Sequence, residues 1–431
     1  MTCARLLTCS SLLLAIGLVV PTSSHAQQAD KLDPYKMLRS LQFVQDSVVS
    51  GDHSAAEMQR FMLATLDERL RSADNAVFED PRNVDAALIY AMSGGNPATL
   101  EFLVARDIDG NFDNRVTDVL RKYLSGKGTL IAKTLSDMVP EYRDKKIGAY
   151  LALVAGNITV SRDPKAALKF YDWARLVAPG TIVEEAALRR SLAVAIDAKM
   201  LEPAMRYAKS YARRFLHSPY ASQFADLYVQ LCVEHYDEMA SADIDATLAF
   251  MDNDRQQEVY LRLARKAAIL GKNGLATLAA DRARVLAGLD NANASALASL
   301  YGGLAGIPTN NVNSALTAIS GVPDAMLTPS DRALRAAARA VADAVVRPPV
   351  AESPAQDPLA NLLDTQQQAD AADADLQQSV APVPDITPVA VPNAGGNAPP
   401  DVDPQFRTFV DGGRTKLDAI DKLLNDEGPS K

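Results

Sequence analysis

Residues 169–181 read KFYDWARLVAPGT and contain Trp173, the only tryptophan of the chain, followed by an abrupt Ala-Pro-Gly-Thr. Before the Ala-Pro-Gly-Thr segment, small and aromatic residues are spaced four and three positions apart: Ala167, Tyr171 and Ala174. Residues at this spacing share one face of an α-helix. Pro179 cannot continue the helix, and Gly180 suits the left-handed conformation that follows many helices. The stretch therefore predicts an amphipathic helix that ends near Pro179, with another helix directly after it.

The same spacing occurs in the second helix of a tetratricopeptide repeat, where small residues let paired helices approach and a proline separates the repeats. A second copy, with glycine as the breaker, lies 109 residues further on: Ala276, Ala280, Ala283 and Gly288. The helix before it carries the expected large and small residues: Tyr260, Leu263, Ala264 and Ala267. The interval corresponds to about three units of 36 residues. An intermediate unit, EPAMRYAKSYARRFLHSPY from Glu202, keeps its proline-started helix but has small residues out of strict register.

These patterns predict an all-α fold, a degenerate tetratricopeptide-like helical-repeat solenoid over residues 27–346. Breakers recur throughout that range, for example Gly51, with Ser54 and Glu57 as a capping box for the next helix. The alternative is an irregular all-α domain whose alanine-rich helices match the repeat spacing by chance. Both the repeat solenoid and the irregular domain would have a continuous helical core.

The two ends of the chain have a different composition. Residues 1–26 carry Arg5, an apolar run over 12–20 and a small-residue ending, the pattern of a cleaved secretory signal peptide. That run is much shorter than the about 20 apolar residues that span a bilayer, so we expect export without stable membrane insertion. Residues 347–404 are rich in proline, alanine and aspartate and predict a disordered acidic linker. Residues 405–431 predict a short amphipathic helix, either a partner-binding tail or a docking helix.

Cysteine content and charge exclude several functions. Removal of residues 1–26 leaves Cys232 as the single cysteine, and its apolar surroundings indicate a buried small hydrophobe. The net charge of −9 makes nucleic acid an unfavourable partner. We find no phosphate-binding loop, esterase elbow or zinc-binding histidine spacing, and we expect no cofactor and no small-molecule substrate. Trp173 is expected to belong to the core.

RDIDGNFDNRVTD is the one stretch with the regularity of a metal site. Five side chains match positions 1, 3, 5, 7 and 12 of an EF-hand loop: Asp107, Asp109, Asn111, Asp113 and Asp118. Phe112 replaces the glycine that turns such a loop, and Asp118 replaces the expected bidentate glutamate. The stretch is a weak calcium candidate; a polar turn between two helices is the alternative.

Two further sets of charged residues are candidates for function. Two arginine pairs could line neighbouring helices as a basic strip, or could be ordinary solvated charges: Arg189 with Arg190, and Arg213 with Arg214. Four residues could supply the catalytic glutamate of a peptidoglycan-active enzyme or its neighbour: Glu184, Glu185, Glu234 and His235. None of them shows a recognisable set of catalytic partners.

Two long stretches resemble the MotC family of periplasmic motility proteins. They are DPYKMLRSLQFVQDSVVSGDHSAAEMQRFML (33–63) and YLALVAGNITVSRDPKAALKFYDWARLVAPGTIVEEAALRR (150–190), and the likeness extends over roughly residues 30–345. The resemblance implies a non-enzymatic periplasmic factor that is required for flagellar rotation and associates with the periplasmic portion of the stator protein MotB. It implies no catalytic residues. The alternatives are a peptidoglycan-active periplasmic enzyme and a generic scaffold for secretion or envelope assembly.

Overall fold

A computed structural model describes residues 32–288, 291–309 and 311–347. The predicted signal peptide (1–26), the predicted linker apart from Arg347, and the predicted C-terminal helix (405–431) lie outside these residues. Within the described part, the chain forms seventeen α-helices and no strand, which confirms the all-α prediction. The α-helices are α1 (Pro34–Ser50), α2 (Ala55–Ser72), α3 (Pro81–Met92), α4 (Pro97–Arg106), α5 (Asn114–Leu124), α6 (Ala132–Met138), α7 (Gly148–Thr159), α8 (Pro164–Val177), α9 (Ile182–Asp197), α10 (Leu201–Arg214), α11 (Ala221–Glu234), α12 (Ser241–Leu248), α13 (Asn253–Ile269), α14 (Asn273–Ala287), α15 (Ala292–Gly306), α16 (Val312–Ser320) and α17 (Pro329–Val346).

Helices α7 to α15 stack in pairs. Consecutive helices pack on each other from α7 to α11 and from α13 to α15, and every second helix also packs on its counterpart two places further, so that α7, α9, α11, α13 and α15 form one continuous series. Of the partner helices, α8, α10 and α14 pack on members of this series, and the short helix α12 packs on α10. A tetratricopeptide-like array has this arrangement, because each pair buries its apolar face only against its neighbours.

The partner helices keep a common register. The fourth residue of each is buried: Ala167 in α8, Ala204 in α10, Ile244 in α12 and Ala276 in α14. In α10 the same offsets continue to Ala208 and Tyr211, both fully buried, so this helix is in register, contrary to the sequence expectation. The expectation was wrong because it required a small third residue, whereas the packing here accepts the Tyr211 ring.

The remaining repeat positions divide between core and turns. Those that lie inside helices are all fully or almost fully buried: Tyr171, Ala174, Ala280 and Ala283. Pro179 lies in the turn after α8, and Gly288 ends α14 with a φ of 56°. A glycine tolerates this positive φ at no steric cost. The breakers thus separate helices, while the small residues set the distance between them.

Tyr171 shows why one helix of a pair needs a very small residue. A Cβ added at Gly156 in α7 would lie 2.4 Å from a carbon of the Tyr171 ring, so the ring occupies the space that a side chain would need. The Tyr171 hydroxyl donates to Asn157 at 2.9 Å, which fixes the ring in place. The α7–α8 pair therefore packs through contact between an aromatic ring and bare backbone.

Side-chain chemistry caps the start of α8, whereas the predicted cap of α2 is replaced by another contact. Asp163 accepts from the Ala166 amide at 2.9 Å at the start of α8, and Pro164 occupies the first turn. The predicted capping box of Ser54 is absent, because Asp52 accepts from both the amide and the hydroxyl of Ser54. The Asp52 carboxylate, two residues before Ser54, accepts these hydrogen bonds, so the Ser54 hydroxyl does not cap the helix.

Candidate functional site

A basic surface groove lies between α8 and α10. It has a volume of about 300 Å³ and is lined by Asp172, Arg175, Arg206, Tyr207, Lys209, Ser210 and Arg213. In α10 the polar lining residues Arg206, Ser210 and Arg213 recur at offsets of four and three, so they share one face. The face on the other side is buried against the helix stack. Burial of the apolar face thus forces the cationic face toward solvent.

The charge of the groove comes from two arginines. Asp172 pairs with Arg175 at 2.8 Å, and Lys209 pairs with Asp243 at 3.2 Å, so these cations are balanced. Arg206 and Arg213 are exposed and form no ion pair with another described residue. Planar guanidinium groups bind carboxylates through two parallel hydrogen bonds. The groove therefore presents two cations that are available to an anionic partner.

Two aromatic residues accompany these cations. The Arg213 guanidinium lies 5.4 Å from the centre of the Phe250 ring, which is 46% exposed. Tyr207 donates to Asp172 at 3.1 Å; burial, together with the charge and hydrogen bond of Asp172, raises the pKa of Tyr207 to about 12. The phenol thus stays neutral and donating at physiological pH. Arginine beside exposed aromatic surface is the composition that protein interfaces favour.

The two arginine pairs do not line up as a basic strip, which was one of the two alternatives for them. Arg189 is buried, and Arg190 donates to Asn157, so neither is part of a basic surface. Arg214 pairs with a carboxylate of α9, which leaves Arg213 as the one unpaired member among the four. Sequence reasoning missed Arg206, although its spacing of seven from Arg213 was a usable signal of a shared face.

Glu184 and Glu185, two of the candidate catalytic residues, are structural in this fold. Glu185 is fully buried and accepts from Tyr211 at 2.8 Å and from Arg189 Nε at 3.0 Å. Glu184 accepts from Arg214 Nη1 at 2.7 Å. Both carboxylates thus take part in contacts within the helix stack.

Glu234 and His235 form no joint site. Glu234 accepts from Gln230 at 2.8 Å on the exposed side of α11. The His235 Nδ1 atom lies 2.8 Å from Glu238, and its ring is buried. The two neighbouring residues thus point to separate partners.

The acidic loop between α4 and α5 uses its first side chain to close a turn. Asp107 accepts from the amides of Asn111 at 2.8 Å and Phe112 at 2.9 Å. Phe112 is buried, with its ring centre 5.4 Å from that of Phe78. The phenylalanine that breaks the calcium pattern therefore anchors the loop to the core.

Two of the other three carboxylates of this stretch also have local partners. Asp113 begins α5 by accepting from the Arg115 amide at 2.8 Å, and Asp118 pairs with Lys122 at 2.7 Å. Asp109 is exposed. No group of three or more His, Cys, Asp or Glu side chains comes together as a metal site anywhere in the described residues. The structure thus gives the loop the geometry of a capped interhelical turn.

Three other sequence observations concern the core and the membrane. Cys232 is buried, and burial raises the pKa of its thiol to about 12. Trp173 is half-buried at the edge of the core, with the Arg143 guanidinium 6.0 Å from its ring. Among the described residues, no helix combines the length and the apolar character that a bilayer crossing requires.

Comparisons with known proteins place the chain in a family. Residues 2–429 match the family described as Chemotaxis protein MotC. The Chemotaxis protein MotC of Rhizobium meliloti (strain 1021) is 54% identical over 428 residues, which cover 97% of this chain and 98% of that protein. No solved structure matches. The chain therefore belongs to the MotC family of chemotaxis proteins.

Proposed function

We propose that this chain is a non-enzymatic, periplasmic motility factor that is required for flagellar rotation and binds the periplasmic portion of the stator protein MotB. Membership of a chemotaxis-protein family over almost the whole chain supports a role in motility. The observation that carries the binding role is the groove between α8 and α10, with unpaired Arg206 and Arg213 beside exposed Phe250. Stacked helical pairs serve as binding platforms because they present an extended, preformed surface.

The groove would take an acidic segment of the partner. Arg206 and Arg213 lie about two turns apart on α10, so they would engage carboxylates spaced along an extended or helical segment. Phe250 adds apolar area next to one of these contacts. The two arginines can contribute disproportionately, since arginine and aromatic anchors dominate the energetics of many interfaces.

A binding experiment tests this role directly. The double variant Arg206→Ala/Arg213→Ala should bind the purified periplasmic portion of MotB about tenfold to a hundredfold more weakly in calorimetry, with a smaller dependence on salt. The matched control is Arg39→Ala/Arg60→Ala, which removes two exposed arginines from α1 and α2. Equal affinity of the groove variant and the wild type would refute the groove as the MotB site.

A genetic experiment separates the motor role from assembly. Cells that carry the groove variant should assemble flagella and fail to rotate them, while cells with the control variant swim. Loss of the flagella themselves would contradict a role in rotation.

The periplasmic location is tested by the mature N-terminus. Export should release residues 1–26, so mass spectrometry of the periplasmic fraction should find a chain that begins at Gln27. An intact N-terminus in the cytoplasmic fraction would contradict it.

A further inference from the structure

A small cavity lies where the N-terminal helices meet the stacked pairs. It has a volume of about 80 Å³, whereas one water molecule needs only about 10–15 Å³. Its walls come from α1, α2, the turn after α3, α7 and α9, together with Tyr220 before α11. Gly94 lies in this wall and is exposed, so the cavity reaches the surface there.

Two buried polar atoms of the wall form no hydrogen bond of standard geometry. Gln45 is 1% exposed and Ser93 is 6% exposed, and neither Gln45 Oε1 nor Ser93 Oγ forms a hydrogen bond within the described residues. A buried polar group without a partner destabilises the fold by about 1–3 kcal/mol. Both residues line the cavity, so a polar occupant would satisfy them.

The hydrogen-bonding character of each group is fixed by its neighbours. Gln45 Nε2 donates to the Ser93 carbonyl at 3.3 Å, so the free Oε1 end of this amide is an acceptor. The Tyr150 oxygen accepts from Gln42 at 2.9 Å, which leaves its proton available for donation. Ser93 Oγ lies near the Tyr150 hydroxyl and interacts with it, without a hydrogen bond of standard geometry. Gln45, Ser93 and Tyr150 thus offer the cavity one acceptor and two hydroxyl donors, and the polar side chains of Gln59 and Tyr220 also line it.

The rest of the wall is uncharged. Leu63, Leu153, Ile182 and Val183 give it an apolar side, and no Asp, Glu, Lys, Arg or His lines it among the described residues. A charged ligand would be desolvated there without a counter-charge, which is strongly unfavourable. The occupant must therefore be neutral, donate one hydrogen bond, accept at least one and carry a small apolar group.

We propose that this cavity binds a neutral secondary amide with a small apolar substituent, such as an acetamido group. The ligand N–H would donate to Gln45 Oε1, its carbonyl would accept from Ser93 and Tyr150, and its methyl group would contact Leu153 and Val183. An acetamido group can belong to an N-acetylated sugar or to an acetylated peptide. The site is separate from the basic groove, so this inference does not depend on binding to MotB.

Ligand-observed NMR on the full mature chain tests the site. The probes are N-acetylglucosamine for a sugar source and N-acetylalanine methylamide for a peptide source, with glucose and acetate as probes that lack the amide. At least one amide probe should bind saturably, and neither glucose nor acetate should. The probe that binds more tightly identifies the source.

Matched variants distinguish the site from adventitious binding. Ser93→Ala and Gln45→Met should each weaken binding about threefold to tenfold, since each removes one hydrogen-bonding group and leaves a ligand atom unpaired. Ser191→Ala is the control, because Ser191 is also buried and unpartnered but does not line the cavity. If Gln45→Met does not fold, the probe affinity of Ser93→Ala alone tests the site. Absence of saturable binding, equal affinity for the Ser93 variant, or a crystal structure of a probe soak with only water in the cavity would overturn the proposal.

Discussion

Replacement of Glu185 by glutamine should destabilise the helix stack strongly. Glu185 is fully buried in α9, and its carboxylate balances Arg189, whose side chain is only 10% exposed. Removal of one partner from a buried ion pair typically destabilises a protein by about 3–5 kcal/mol, because the other charge remains buried. Gln223 accepts from Arg189 at 2.9 Å, and the Tyr220 ring lies 4.5 Å from the guanidinium carbon. Since these contacts still stabilise the buried cation, we expect the free energy of unfolding to fall by about 3 kcal/mol, the lower end of that range.

Urea unfolding followed by tryptophan fluorescence measures this loss. The single tryptophan, Trp173, lies on α8, which packs directly on α9, so its fluorescence reports on this part of the stack. A local probe is needed because stacked arrays can unfold in more than one step. The comparison is valid if the m-value, the slope of the unfolding free energy against urea concentration, is the same for the wild type and the Glu185→Gln variant.

A double variant separates the effect of charge from that of packing. Glu185→Leu/Arg189→Met removes both charges and should recover most of the stability, because apolar residues of similar volume replace buried ion pairs well. The hydroxyl of Tyr211 then lacks its acceptor, so a residual loss of about 1 kcal/mol is expected. A loss below about 1 kcal/mol for Glu185→Gln, or a double variant less stable than the single one, would refute the reasoning.

Three shorter predictions concern packing, pH and thiol chemistry. Gly156→Ala should destabilise the chain by about 1–3 kcal/mol in urea unfolding, because the new Cβ meets the Tyr171 ring, whereas Gly302→Ala, with its nearest neighbour 3.2 Å away, should have a smaller effect. Burial raises the pKa of Asp46, so as the pH falls the folded state binds this proton at a higher pH than the unfolded state does. Relative to Asp46→Asn, the wild type should therefore lose stability as the pH rises through the folded-state pKa of Asp46, which unfolding at a series of pH values measures. Cys232, with a thiol pKa raised to about 12 by burial, should react with iodoacetamide only after denaturation, as followed by mass spectrometry.

Local sequence patterns predicted the helices well because they depend on short-range chemistry. Proline and glycine breakers gave the end of α8, and its start at Asp163 and Pro164 rests on the same kind of local chemistry. The small-residue spacing predicted the stacked pairs, since close approach of two helices demands small side chains. The register of α10 was mispredicted because the identity of the third residue depends on the space that neighbouring helices leave for Tyr211.

The charged residues of the site could be predicted only in part. Sequence proximity drew attention to arginines adjacent in the chain, yet adjacent residues on a helix point in directions 100° apart. Arg189 therefore lies in the core, and Arg213 lies at the surface, although each belongs to a pair. The cavity near Gln45 and Ser93 was not predictable, because its walls come from helices up to 175 residues apart in the chain, from Gln45 to Tyr220.

The helix stack divides stability and binding between different helices. Helix α9 packs on α7, α8, α10 and α11 and buries thirteen of its sixteen residues, so substitutions there act through folding. Helix α10 buries five of fourteen residues, which all lie on one face, so its opposite face can change without loss of packing. Variants of Glu185 should therefore lower the amount of folded protein, whereas variants of Arg206 and Arg213 should leave folding intact and alter only partner binding. A selection on motility combined with a measurement of protein abundance separates these two classes, because only the first class lowers abundance.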